Sequence, residues 1–251
     1  MRQDADTLKK FYASPLGKAA GRLLSERVAA LWPNARDMSL LGYGYALPVL
    51  EGSCGGARRV IAAMPEQQGA QHWSFNNHGN TSVQVPESRL PFEDQQFDRA
   101  IILHGLEETG DIRALLREIW RVTAEEGRIL LIAANRRGLW SRSDNTPFGE
   151  GRPWTRRQLA ALAESNLFQV TAWAHALYMP PMPSKLIASG ADTWERTGET
   201  LFAPFGGAVM IEAVKRLYIE PKGSATAPIT KKAPASPIAS QRGGSLDQVN
   251  M

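Results

Sequence analysis

A chain of 251 residues, 43% of them hydrophobic, is long enough to enclose one sizeable core, and nothing in the composition demands a second. The formal charge is +4, but Lys222, Lys231, Lys232 and Arg242 against Glu220 and Asp247 place half of that excess in the last stretch of chain, so basicity argues only weakly for a polyanionic partner and nucleic acid is not favoured. Cys54 is the sole cysteine, which excludes an internal disulfide and a multi-cysteine zinc site. No window reaches the ~20 apolar residues of a membrane span and no signal-like apolar stretch follows the charged start, so the expectation is a cytoplasmic protein with no metal and no membrane partner.

In chain order, Thr7 to Leu31 carries Leu8, Phe11, Tyr12, Leu16, Ala20, Leu23, Leu24, Val28 and Leu31 at helical spacing, interrupted near Pro15 and stopped at Trp32-Pro33-Asn34. Asp37 to Leu41 is a short apolar strand ending at a glycine turn, Leu41-Gly42-Tyr43-Gly44-Tyr45-Ala46-Leu47-Pro48, and Leu47 opens a short helix. Further strands are expected at 58–65, 81–85 and 97–104. A helix with Asp111 as its cap should span 111–123, followed by a fifth strand near 129–132, a helix at 158–165 and strands at 168–173 and 208–217. Residues 174–206 fit no regular element. Beyond Pro221 the chain is rich in Pro, Ala, Ser, Gly and Lys, a composition that predicts disorder. The expected organisation is a helical cap over 1–35, a main domain over 36–220 and a basic tail over 221–251. Alternating strands and helices imply an α/β fold, a doubly wound and mainly parallel sheet with helices on both faces.

Three segments in order carry a family resemblance: the glycine turn after the first strand; Leu90-Pro91-Phe92-Glu93-Asp94-Gln95-Gln96-Phe97-Asp98 leading into the fourth; and Glu118-Ile119-Trp120-Arg121-Val122 with Glu126-Gly127-Arg128-Ile129-Leu130 before the fifth. Together they resemble the cofactor-binding half of a class I S-adenosylmethionine-dependent methyltransferase of the type 11 kind. The resemblance implies a seven-stranded Rossmann-like sheet with S-adenosylmethionine beyond the carboxyl ends of the strands. It implies that Gly42 and Gly44 let the cofactor lie against the main chain, with Ala46 in place of a third glycine and Tyr43 and Tyr45 flanking it. In such enzymes a helix before the first strand covers the pocket, so 7–31 is either a lid or a helix packed on the sheet.

Two positions depart from that pattern. Leu40 stands where an acid is expected before the first glycine, and Met64 stands where a carboxylate should receive the ribose hydroxyls. A thioether cannot replace that carboxylate, and an unpaired buried hydroxyl costs ~1–3 kcal/mol. Glu66, two residues on, is an alternative ribose partner, and Glu87, Ser88 and Leu90 match the region that meets adenine. His104, ending the fourth strand, is the candidate general base or substrate-orienting group. After the fifth strand, Arg136, Arg137, Arg142 and Arg152 with Trp140, Phe148 and Trp154 would hold an anionic or planar acceptor, or else form an ordered loop. The leading reading is a methyltransferase of unknown acceptor; the alternative is an inactive methyltransferase-like binding or regulatory subunit with a protein partner. A dinucleotide-dependent enzyme is weaker, since the full G-x-G-x-x-G pattern is missing.

Overall fold

The computed structural model describes residues 3–76, 79–216 and 227–228. The sheet runs β3-β2-β1-β4-β5-β7-β6-β8, with β1 (Ser39–Gly44), β2 (Arg59–Pro65), β3 (Ser82–Val85), β4 (Phe97–Leu103) and β5 (Thr123–Ala134) all parallel. β7 (Ala208–Lys215) inserts antiparallel between β5 and β6 (Phe168–Ala176), and the two-residue β8 (Ala227–Pro228) pairs parallel with β6. Seven strands and their mainly parallel direction agree with the expectation; β8 is an addition from the tail. The rest of the expected disordered tail lies outside the described residues.

Central strands are apolar on both faces because each face is covered. Leu40, Ile101 and Leu130 point into one core layer, shared with α1 (Ala5–Ala13), α2 (Pro15–Leu31) and α3 (Leu47–Ser53). Their neighbours Leu41, Ile102 and Leu131 point into the other, under α4 (Ile112–Val122) and α5 (Arg156–Glu164). The break near Pro15 is real: Ser14 ends α1, and its Oγ accepts from Gly17 N at 3.1 Å to cap α2, while Pro15 occupies a position whose missing N–H costs nothing. A Cβ on Gly17 would overlap the Phe11 carbonyl, so the helix corner closes tightly only with glycine there. Asp111 Oδ1 accepts from Arg113 N and Ala114 N to start α4, and Thr155 with Gln158 forms a capping box on α5.

Two expectations change. β5 begins at Thr123, directly after α4, and takes the polar Glu125-Glu126-Gly127 into the strand through an irregularity opposite Phe97–Arg99, with Glu126 at φ 57°. Residues 174–206, expected to be irregular, contain α6 (Lys185–Ser189) and α7 (Ala191–Leu201). The buried face of α7 is Ala191, Glu195 and Gly198, one of them a glutamate, so no apolar period marked it. Among the described residues, no helix is long and apolar enough to cross a membrane.

Candidate functional site

The glycines sit inside β1, not after it: Gly42 pairs with Ala62 and Ile101, and Gly44 with Leu103. The chain leaves the sheet at Gly44, with φ 78°, and Tyr45 N donates to Leu103 O at 2.8 Å. A side chain at Gly44 would be strained and would overlap the Leu103 carbonyl, so glycine is required by the close approach of β1 and β4. A Cβ on Gly42 would stand 2.5 Å from Leu50 Cδ1 and 3.0 Å from Ala46 Cβ. The space beside Gly42 therefore belongs to α3, which corrects the expectation that this backbone lies open to a cofactor. Tyr43, Ala46, Met64 and Leu90 are likewise core residues facing no open space. Met64 Sδ accepts from Gln71 N, while Leu90 is pinned by backbone bonds to Glu118 and Arg121.

Above the ends of β1 and β4 the chain fills its own crevice. Tyr12 of α1 stacks on Tyr45 with ring centroids 5.8 Å apart, and its hydroxyl lies 2.7 Å from His104 Nε2. Phe148 meets the other side of the His104 ring at 4.8 Å, and Gln68 Nε2 donates to the His104 carbonyl. Burial pushes the His104 pKa down to about 3 and the Tyr12 hydroxyl well above its usual value, so both are neutral near pH 7. With Nδ1 carrying the ring proton, Tyr12 donates to Nε2. His104 itself holds φ 51° at the strand end. It reaches the expected place, but its free nitrogen is engaged by α1.

Sequence reasoning missed Glu107. This carboxylate is buried three residues beyond His104, accepts from Leu106 N and Ala134 N at 3.2 Å each, and is raised to about 7 by desolvation. Its signal was its position, the first acid past the end of β4. Tyr12 was visible only as one member of a helical stripe.

Beyond β2 and β3 the edge is open. Glu66, Gln67, Pro86, Glu87, Ser88, Asp111 and Ala114 line a cleft of about 320 Å³. Glu87 Oε2 accepts from Thr109 Oγ1 at 2.8 Å. The fold thus brings Glu66, Glu87 and Ser88 to one cleft.

The loop after β5 does not form one substrate wall. Trp140 and Phe148 are fully buried; Trp140 Nε1 donates to Met179 O at 2.7 Å, and the two rings meet edge-on at 5.5 Å. Both are core residues, because the loop folds back over the sheet instead of away from it. Arg136 Nη2 donates to Pro153 O within the loop, and Arg152 lies over the Trp154 ring at 4.6 Å. Arg137 lines a separate cavity near β6.

Residues 41–131 match the family model described as "Methyltransferase domain". No curated protein matches the chain. Among solved structures, the fold is similar to an S-adenosylmethionine-dependent methyltransferase from Thermotoga maritima, described as a possible histamine N-methyltransferase, with TM-score 0.56 and 15% identity over 83% of this chain and 94% of that one. A chain from the complex of the Haloferax volcanii Trm112 methyltransferase activator with a methyltransferase gives 0.58 and 15% over 81% and 92%. The [4+2]-cyclase SpnF gives 0.50 and 18% over 80% and 83%. At these identities the likeness concerns the fold.

The residues present fit an adenosyl cofactor on one side only: carboxylates and a hydroxyl line the open cleft past β2 and β3, whereas Tyr12 and His104 occupy the place past β1 and β4 where a methionyl group would lie. Residues 41–131 thus match a methyltransferase domain, and the order and direction of the strands give the chain the Rossmann-like fold of S-adenosylmethionine-dependent methyltransferases.

Proposed function

We propose that the chain is an S-adenosylmethionine-dependent methyltransferase in which α1 is a lid, held shut by Tyr12. The observation that carries this reading is the gathering of Glu66, Glu87 and Ser88 in one open cleft at the carboxyl edge, on the side where the nucleoside of the cofactor belongs. Glu66 would receive the ribose hydroxyls in place of the absent acid at Met64. The part of the obstruction that α1 adds at His104 is one tyrosine, on a nine-residue helix that ends at the Ser14–Pro15 corner and buries Ala5 and Leu8 beside it. Swinging α1 away frees His104 and Tyr45 without unpacking the sheet. The bound cofactor would supply the electrophilic methyl group; this chain's residues would orient it and exclude water, which is the larger part of such a reaction. The acceptor is left unassigned.

A second reading, a cofactor-free binding or regulatory subunit, is favoured by Leu40 and Met64 being fully buried where acids are expected and by the Tyr12–His104 contact. Calorimetric titration with S-adenosylhomocysteine separates the two. The lid reading expects measurable binding to the native chain, tightened about tenfold in Tyr12→Ala because the closed state no longer competes. Absence of binding to both folded proteins at ~1 mM, a concentration that still detects free energies near 4 kcal/mol, would establish the second reading.

A further inference from the structure

At the far end of the same edge, past β5 and β6, a cavity of about 300 Å³ is lined by Asn135, Arg137, Thr155, Arg156, Arg157, Trp173, His175, Ala203 and Pro204. Its walls are built, not incidental. The fully buried Asn135 donates through Nδ2 to Pro204 O at 3.0 Å and Gly206 O at 2.7 Å, while its Oδ1 accepts from Arg137 N. Trp154 exchanges backbone bonds with Ala134 and Arg136, which fixes the approach to Thr155, and Tyr178 Oη donates to Ala203 O. Three segments distant in sequence are thereby locked around one space.

The charge in this space is one-sided. No ion pair among the described residues involves Arg137, Arg156 or Arg157. Some arginines elsewhere are paired, as Arg27 with Glu199, Arg121 with Glu118 and Asp94, and Arg128 with Glu212; what sets Arg137, Arg156 and Arg157 apart is that all three line one cavity. Arg156 lies over the Trp173 ring at 4.3 Å, which holds the guanidinium without neutralising it. Burial, Arg156 and Arg137 together lower the His175 pKa to about 4, so the imidazole adds a neutral polar group. Guanidinium groups without carboxylates, arranged around a preformed cavity, suit a carboxylate or phosphate oxyanion. One wall leads to apolar surface: the lining residues Ala203 and Pro204 belong to a short turn flanked in sequence by Phe202 and Phe205, exposed to 56% and 55%, with Leu201 at 67%.

We propose that this cavity binds the oxyanion of an amphiphilic acid, with its head among Arg137, Arg156 and Arg157 and its apolar body along Phe202 and Phe205. The assignment goes beyond the methyl-transfer reading and holds without it, since the cavity shares no lining residue with the cleft around Glu66 and Glu87.

The test is calorimetry on the full chain without cofactor, using octyl phosphate, inorganic phosphate and octanol as probes, each below micellar concentration. Octyl phosphate should bind at least about tenfold more tightly than phosphate, and octanol should not bind measurably. The variant Arg137→Ser/Arg156→Ser/Arg157→Ser, whose substitutions are all at exposed positions, should weaken octyl phosphate by tenfold or more, and Phe202→Ser/Phe205→Ser should reduce it toward the phosphate value. Occupation of the cavity should also raise the His175 pKa, followed by its ring signals, because the bound anion offsets the arginine charge. Octyl phosphate binding that is undetectable at millimolar concentration, unchanged in the triple variant, or no tighter than phosphate would overturn the proposal. Failure there leaves the S-adenosylhomocysteine titration unaffected, so the two readings fall separately.

Discussion

The two halves of the carboxyl edge differ in what the chain puts there. Past β2 and β3, polar side chains border open space; past β1 and β4, four rings and a glutamine close over the backbone. A glycine pair that looks made for a ligand is consumed by packing, Gly42 by Leu50 and Gly44 by the Leu103 carbonyl. Missing Cβ atoms therefore announce close approach without naming what approaches. In the proposed lid reading, the ligand-facing part of the edge is set instead by whether α1 stays down.

The largest expected effect concerns the loop after β5. If Trp140 is a core residue, Trp140→Ala should cost about 3–5 kcal/mol in urea unfolding, the usual range for deleting a fully buried aromatic side chain. Were it a substrate wall facing solvent, the loss would stay below about 1 kcal/mol, and the division of the edge drawn above would have to move.

The sequence conveyed most about places where one physical cause acts alone. The inner parts of β1, β4 and β5, Leu40–Leu41, Ala100–Leu103 and Ile129–Ala134, are buried on both faces and so read as apolar runs, and α4 is announced by Asp111 and a clean stripe from Leu115 to Val122. Legibility ended where two causes met. α7 buries Glu195 because the Tyr178 amide donates to its Oε1 and Arg27 lies 4.0 Å from its Oε2, so a carboxyl group stands where the pattern needs an apolar residue. Trp140, Phe148 and Tyr12 could be placed as aromatic, but whether each faced a ligand or a neighbour depended on contacts between segments far apart in the chain. Glu107 carried no local pattern beyond being the first acid past β4.

A middle-sized effect tests Glu107. Its folded pKa, about 7, lies above the ordinary glutamate value of 4.5, so the folded state holds the proton more tightly than the unfolded state does. Stability from this group is present below pH 4.5 and is lost as pH rises toward 7, with little further change above. Buried His104, lowered to about 3, acts in the opposite sense: its contribution is lost as pH falls from 6.5 toward 3. Comparing Glu107→Gln with the native chain isolates the glutamate. The substitution should be more favourable at pH 8 than at pH 5 by roughly 2–3 kcal/mol, and a difference independent of pH would show that the carboxyl is not buried in the folded protein.

The smallest effect bears most directly on the closed half of the edge. Tyr12→Phe keeps the ring on Tyr45 and removes only the hydroxyl bonded to His104. A single buried hydrogen bond lost, with one imidazole nitrogen left unsatisfied, should lower stability by about 1–2 kcal/mol. Gly17→Ala acts on the same end of α1 from within α2, because the new Cβ must push the Phe11 carbonyl, and with it α1, away from α2. If Tyr12 is the latch, both variants should speed amide exchange across Ala5–Ala13 while leaving β1 and β4 protected. Exchange that quickens equally in the sheet would mean that α1 is part of the core's cooperative unit, a packed helix and not a lid.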